Sequence, residues 1–165
     1  MIEIIEATAE DLPLIRQLAE HTFQVTYLPL QPKEKVEYLF ELMYNPTSLA
    51  EQMKNGQQFI IARDEAGYLG YASFEINCKK TGLTKIHKIY VLPATQGKGV
   101  GKKLIDRIEK IALQNKNQTL SLNVYRKNPA IDFYGKLGFT RVKEVDIDVG
   151  NGFTMNDFVM EKNIY

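Results

Sequence analysis

The chain is poor in cysteine. Cys78 is the only one in 165 residues, so no disulfide can form within it. A lone thiol fits a reducing compartment. Long apolar runs are also missing: no stretch approaches the roughly 18 consecutive apolar residues of a membrane-spanning helix. The opening Met1-Ile2-Glu3-Ile4-Ile5-Glu6 sets acids inside its apolar run, unlike a secretory signal. A cytoplasmic protein without membrane attachment is expected. Net charge is nearly absent too, with 21 Lys and Arg against 20 Asp and Glu. No general attraction to nucleic acid or anionic membranes follows. Repeats, linkers and low-complexity segments are lacking, so residues 1–165 read as one domain. What remains is ordinary globular material, 44% hydrophobic and 25% charged. That suffices for one core without disulfides or metal.

Hydrophobic spacing gives the order of elements. Ile2 to Glu6 reads as a strand, and Thr8-Ala9-Glu10-Asp11 as a capping box. Leu12, Ile15, Leu18, Ala19, Thr22 and Phe23 then recur at helical spacing until Pro29 and Pro32. A second helix carries Val36, Leu39, Phe40 and Met43 and ends at Asn45-Pro46. Thr47 or Ser48 is placed to cap a short third helix. Gln58 to Arg63 and Tyr68 to Asn77 flank the turn Asp64-Glu65-Ala66-Gly67. Lys85 to Leu92 is a further strand, followed by a glycine-rich loop and a helix with Leu104, Ile105, Ile108, Ile111 and Ala112 on one face. Thr119 to Tyr125 reads as a strand and Pro129 to Leu137 as a helix. Phe139 to Val149 and Phe153 to Lys162 form a hairpin about Gly150-Asn151-Gly152. The order is one strand, two or three helices, three strands, then helix, strand, helix and two strands.

The loop from Gln96 to Lys102 lies between a strand and an amphipathic helix. Glycines let a ligand come close to the backbone. The first helical N–H groups lack internal partners and sit at the positive end of the helix dipole. Together these make a site for phosphate oxygens, and Lys98, Lys102 and Lys103 add charge. A Walker loop requires Ser or Thr after its Gly-Lys pair, and Lys103 follows Lys102 here. The dinucleotide spacing fails as well, since the position three after Gly99 is Lys102. The pattern present is Gln-x-x-Gly-x-Gly, at Gln96, Gly99 and Gly101.

With that loop and the block Asn123-Val124-Tyr125-Arg126-Lys127-Asn128-Pro129-Ala130 through Tyr134 to Phe139, the sequence resembles the GCN5-related N-acetyltransferases (GNAT). The resemblance implies an α/β (α+β) fold with a mixed, mostly antiparallel sheet of about seven strands flanked by helices. It implies acetyl-CoA as cosubstrate, no metal, and direct acetyl transfer to an amine. In the family the strands matching Ile86–Leu92 and Thr119–Tyr125 splay apart and the pantetheine arm enters, here along Ile89, Tyr90 and Val91. The pyrophosphate would meet the N–H groups of Gln96, Gly97, Lys98, Gly99, Val100, Gly101 and Lys102. Asn128 matches a cofactor-contacting position, although an N-cap role before Pro129 accounts for it equally. Tyr134 matches the frequent general acid. A phenol of pKa near about 10 can protonate a departing thiolate, whose thiol titrates at about 8.5. Packing against Phe133 and Phe139 is its plainer reading.

An attacking amine must first lose a proton, since an alkylammonium titrates at about 10.4. Many relatives carry a glutamate on the strand before the loop, and Lys85 stands at that position here. His87, two residues on, is the candidate base, its imidazole titrating ordinarily at about 6.5. Glu75 on the neighbouring strand is a weaker candidate, and His21 reads as a helix-end residue. The N-terminal helices and the C-terminal strand resemble a bacterial subgroup that includes polyamine acetyltransferases. Glu34, Glu37 and Glu41 could face a polycation, or be a solvated helix face. Small amines and peptides both remain as acceptors, and dimers are common among similar proteins. A non-catalytic acyl-CoA sensor is the alternative function. A thiol hydrolase built on Cys78 has no helix N-terminus to activate it.

Overall fold

The computed structural model describes residues 1–165. Seven strands follow the order β1-β2-β3-β4-β5-β7-β6. They are β1 (Glu3–Glu6), β2 (Gln58–Asp64), β3 (Gly67–Glu75), β4 (Leu83–Val91), β5 (Thr119–Tyr125), β6 (Thr140–Gly150) and β7 (Phe153–Asn163). The helices are α1 (Leu12–Glu20), α2 (Phe23–Tyr27), α3 (Lys33–Tyr44), α4 (Pro46–Lys54), α5 (Val100–Gln114) and α6 (Ala130–Lys136). The β4–β5 pair is parallel, and β1–β2, β2–β3, β5–β7 and β6–β7 are antiparallel. The mixed sheet implied by the sequence is thus present. None of the helices is long and apolar enough to cross a membrane.

The chain forms two compact units. One joins Met1–Glu75 to His87–Ile108, the other Ile76–Ile86 to Glu109–Tyr165. In the first, β1, β2 and β3 pair antiparallel, and Phe59, Ile61 and Tyr71 on one face of them are buried, as are Ile15, Phe23, Val36, Phe40 and Tyr44 of the helices, with Tyr44 packed edge-on to Tyr71. The capping box forms as read, with Asp11 Oδ2 accepting from the Thr8 N–H at 2.8 Å.

Two helix boundaries differ from the sequence reading. The helix expected to continue through Phe23 breaks, so four helices precede β2 instead of two or three. Thr22 causes the break: its buried hydroxyl donates to the Leu18 carbonyl at 2.8 Å, while its N–H bonds to Ala19. A threonine bonded back in this way draws the chain out of the helical ladder. At the other boundary Asn45 caps α4, accepting from Ser48 N–H at 2.8 Å, with Pro46 in the first turn. Pro46 therefore starts a helix as well as ending one, because its missing N–H costs nothing there.

In the second unit Leu120, Leu122, Val124, Phe139 and Met160 are buried. Asn117, 1% exposed, ties its loops together. Its Oδ1 accepts from Thr84 Oγ1 at 2.8 Å and from Asn77 N–H at 3.1 Å, and its Nδ2 donates to Asn77 Oδ1 at 2.9 Å. The β6–β7 hairpin turns at Asn151 with φ of 55°.

Candidate active site

The glycine loop follows β4 directly. Leu92 N–H donates to Leu69 O at 2.8 Å, and Thr95 Oγ1 donates to Leu92 O at 2.9 Å, fixing the turn Pro93–Thr95 to β3. Gly97 and Gly99 then take φ of +86° and +79°, which disfavours any side chain. A Cβ at either would meet nothing within 4 Å. The glycines therefore answer the backbone conformation and leave open space where a ligand could approach. Gly101 differs, lying in the first turn of α5. Of the N–H groups read as a phosphate cradle, those of Gln96 and Lys98 make long turn bonds to Pro93 O (3.3 Å) and Thr95 O (3.4 Å). Those of α5's first turn are left without helical partners by helix geometry. Lys102 is paired with Asp106 at 2.8 Å one turn along, which offsets part of its charge. Leu104, Ile105, Ile108 and Ala112 are buried and hold the helix in place.

Ile89, Tyr90 and Val91 are only half-buried, although β4 is interior in the strand order. Gly70 on β3 controls how closely this segment is approached. A Cβ there would stand 2.6 Å from Tyr90 O and 3.1 Å from Val91 Cα. The Tyr90 ring lies against Phe23, Tyr27 and Tyr71, with centroids at 5.8, 6.4 and 5.8 Å. Burial, with neighbouring phenols, pushes the Tyr90 hydroxyl well above the usual range.

His87 Nε2 lies 3.1 Å from Glu75 Oε1, with the two side chains 26% and 29% accessible. The pair joins neighbouring strands and was not foreseen as a pair. Lys88 is 6% exposed. Its Nζ donates to Gln52 Oε1 at 2.6 Å and Gln57 Oε1 at 3.4 Å, above the rings of Tyr44 and Phe59. Burial lowers its pKa to about 8. Ser73 also bonds Gln57, and Ser73 and Glu75 share a face of β3. Along β4 burial alternates, with His87 exposed between buried Ile86 and buried Lys88.

The second unit holds the other candidates. Tyr134 on α6 is 7% exposed, its ring 5.5 Å from Phe133 and 5.9 Å from Phe139. The packing role is real, whatever else the hydroxyl does. Asn128 Oδ1 accepts from Ala130 N–H at 2.9 Å, so the capping contact is present. Lys85 Nζ donates to Asn123 Oδ1. Burial and nearby Lys79 lower its pKa, opposed by Cys78, Asp157 and Glu161. In the first unit, a groove of about 590 Å³ between α1, α2 and α3 is lined by Arg16, Glu20, His21, Gln24, Glu37, Phe40 and Glu41. Arg16 spends its charge on Glu41 at 2.7 Å.

A family model described as an acetyltransferase (GNAT) domain matches residues 27–162. The chain belongs to the GNAT acetyltransferase family. YuaI of Bacillus subtilis (strain 168), an uncharacterized N-acetyltransferase, is 27% identical over 152 residues, 90% of this chain and 86% of its own. Spermidine N(1)-acetyltransferase of Thermoplasma acidophilum is 27% identical over 167 residues, 98% of this chain and 96% of its own. The crystal structure of PaiA N-acetyltransferase from Thermoplasma acidophilum, in complex with coenzyme A, matches with a TM-score of 0.80 at 25% identity over 99% of each chain. This GNAT chain is accordingly an N-acetyltransferase, and acetyl-CoA is the acyl donor such enzymes use.

Proposed function

We propose that this GNAT enzyme transfers acetyl from acetyl-CoA directly to the primary amine of a small molecule within a ternary complex. The pyrophosphate lies on the N–H groups between Gln96 and Lys102, those of α5's first turn above all. The pantetheine runs along the backbone of Ile89, Tyr90 and Val91. Asn128 caps its helix and contacts the cofactor. His87 removes the amine proton, and Tyr134 donates to the departing thiolate. Loss of the proton frees the nitrogen lone pair to attack the thioester carbonyl. Collapse of the adduct breaks the C–S bond, and the Tyr134 proton completes the thiol.

The His87–Glu75 contact carries the reading. A carboxylate on one ring nitrogen fixes the imidazole's orientation and leaves the other nitrogen to accept a proton. The glutamate usual at Lys85 is thus replaced by a base and orienting acid from two strands. Polyamines enter as candidate acceptors through the spermidine N(1)-acetyltransferase likeness, with peptides as a second class. Two measurements test the reading. His87→Ala should lower kcat/KM about 100-fold or more with acetyl-CoA affinity retained; equal turnover would remove the base. Direct transfer requires the enzyme's mass to stay unchanged after acetyl-CoA alone. A stable gain of one acetyl group that amine then discharges would show a covalent route instead.

A further inference from the structure

We propose that the Lys88 ammonium is a positioning group for acetyl transfer. It pins β4 so that His87 before it, and the backbone of Ile89, Tyr90 and Val91 after it, meet the two substrates in register. The inference deepens the reading above and rests on it, since that reading gives His87 the amine proton and β4 the acyl donor. Lys88 is the residue between those two roles.

The ammonium has a closed setting within the first unit. Lys88 is 6% exposed, and burial is the one cause acting on its titration, so no carboxylate faces it from any element. Its Nζ donates to Gln52 Oε1 of α4 at 2.6 Å and to Gln57 Oε1, just before β2, at 3.4 Å. The rings of Tyr44 on α3 and Phe59 on β2 are each centred 5.6 Å away. Of these neighbours only Tyr44 titrates, and burial raises its phenol well above the ordinary range, so it stays neutral. The glutamines are themselves tied down. Gln52 Nε2 donates to Met43 O and to Ser48 Oγ, each at 2.9 Å, and Gln57 Oε1 also accepts from Ser73 Oγ of β3 at 2.9 Å. One side chain thus links β4 to α4 and β3 at a single point. Methionine would fill a similar space without the desolvation cost, and such replacements of buried charge are often neutral or stabilising. What methionine lacks is direction, which charge-assisted hydrogen bonds supply. Direction matters because burial alternates along β4, so a roll of the strand at Lys88 carries exposed His87 with it. The far end of the segment is held by Leu92 N–H on Leu69 O at 2.8 Å and by Gly70 close beneath Tyr90 O. Lys88 holds the near end.

The test compares the wild type, Lys88→Met and Gln57→Glu by thiol release from acetyl-CoA between about pH 7 and about pH 9.5. The acceptor is whichever of butylamine, spermidine and glycine amide the wild type turns over fastest. Thermal unfolding and acetyl-CoA binding by calorimetry are measured alongside. At about pH 7 Lys88→Met should lose about 10- to 100-fold in kcat, the upper end being the loss that a misplacement of about 1 Å produces. Its acetyl-CoA affinity should be retained and its Tm no lower. Burial lowers Lys88 to about 8, so above that pH the wild type sheds the ammonium and the ratio of wild-type to Lys88→Met kcat should fall toward one. The titrations of His87 and of the amine are common to both proteins and cancel in the ratio. Gln57→Glu sets a carboxylate against the ammonium and should move the fall upward by about one pH unit or more. Equal kcat for Lys88→Met and wild type at neutral pH overturns the inference and leaves the transferase intact. So does a ratio that is constant with pH, which makes shape and not charge the agent, or a Tm that falls along with kcat, which makes the lysine a structural residue only. If Lys88→Met fails to fold, the kcat ratio of Gln57→Glu to wild type decides. It should rise as the pH passes about 8, and a flat ratio overturns the inference. No turnover of any amine by a wild type that binds acetyl-CoA overturns the transferase reading, and this inference with it.

Discussion

Lys88→Met isolates the cost of one buried charge. In the folded protein burial lowers this lysine from 10.5 to about 8. The unfolded chain therefore binds more protons than the folded one between those values, so stability rises with pH across that window. Below about pH 8 both states carry the proton and the penalty is constant, amounting to about 3.5 kcal/mol at about 1.4 kcal/mol per pH unit. From about pH 7 to about pH 10 the wild type should gain about 2.5 kcal/mol relative to Lys88→Met. Urea unfolding of both proteins through that range gives the difference directly. The buried phenols of Tyr44, Tyr71 and Tyr90 are all pushed upward by burial, and being common to both proteins they largely cancel. The size of the gain follows from the neutrality of Gln52 and Gln57, which turn amide oxygens toward the ammonium at 2.6 and 3.4 Å without supplying a charge. A flat difference would refute the reasoning and show the ammonium fully compensated. A difference that falls with pH would show its charged form favoured by the fold.

Three further perturbations address the loop, the strand and the acid. Gly99→Val places a β-branched residue at φ of +79° and should weaken acetyl-CoA binding at least about tenfold, whereas Gly101→Ala, inside α5, should be neutral or stabilise by about 0.5–1 kcal/mol; equal affinity of Gly99→Val and wild type by calorimetry would remove the loop from the cofactor site. Gly70→Ala would push on Tyr90 O and Val91 Cα, costing about 1–3 kcal/mol and lowering both Tm and acetyl-CoA affinity; no change in either would show that β4 yields freely there. Tyr134→Phe keeps the packing against Phe133 and Phe139, so kcat should fall about 100-fold with acetyl-CoA affinity retained, and unaltered kcat would dismiss the hydroxyl.

Local signals in the sequence carried the succession of elements along the chain, the capping box at Thr8 and the glycine loop. Each depends on residues a few positions apart, which spacing and turn chemistry encode. The break at Thr22 escaped because the apolar pattern stays in phase through Phe23, while the cause is one hydroxyl turned back to Leu18. The site's other features depend on pairings between distant residues. Glu75 meets His87 across two strands, and Lys85 meets Asn123 across 38 positions. Gly70 looks like an ordinary strand glycine until Tyr90 O is found against it. The amide partners of Lys88, Gln52 and Gln57, lie 36 and 31 positions away in the chain, beyond the reach of any local signal. Family resemblance pointed to Lys85 as an anomaly, but its neutral partner became visible only in the folded chain.

Thiol release from acetyl-CoA by the purified protein, across small amines and peptides, tests the central claim most directly. Release that requires an amine, is absent without one and is lost in His87→Ala is the predicted result. Tight acetyl-CoA binding by calorimetry with no release for any amine would contradict it, and would make the chain a binding module that has kept the loop without the chemistry.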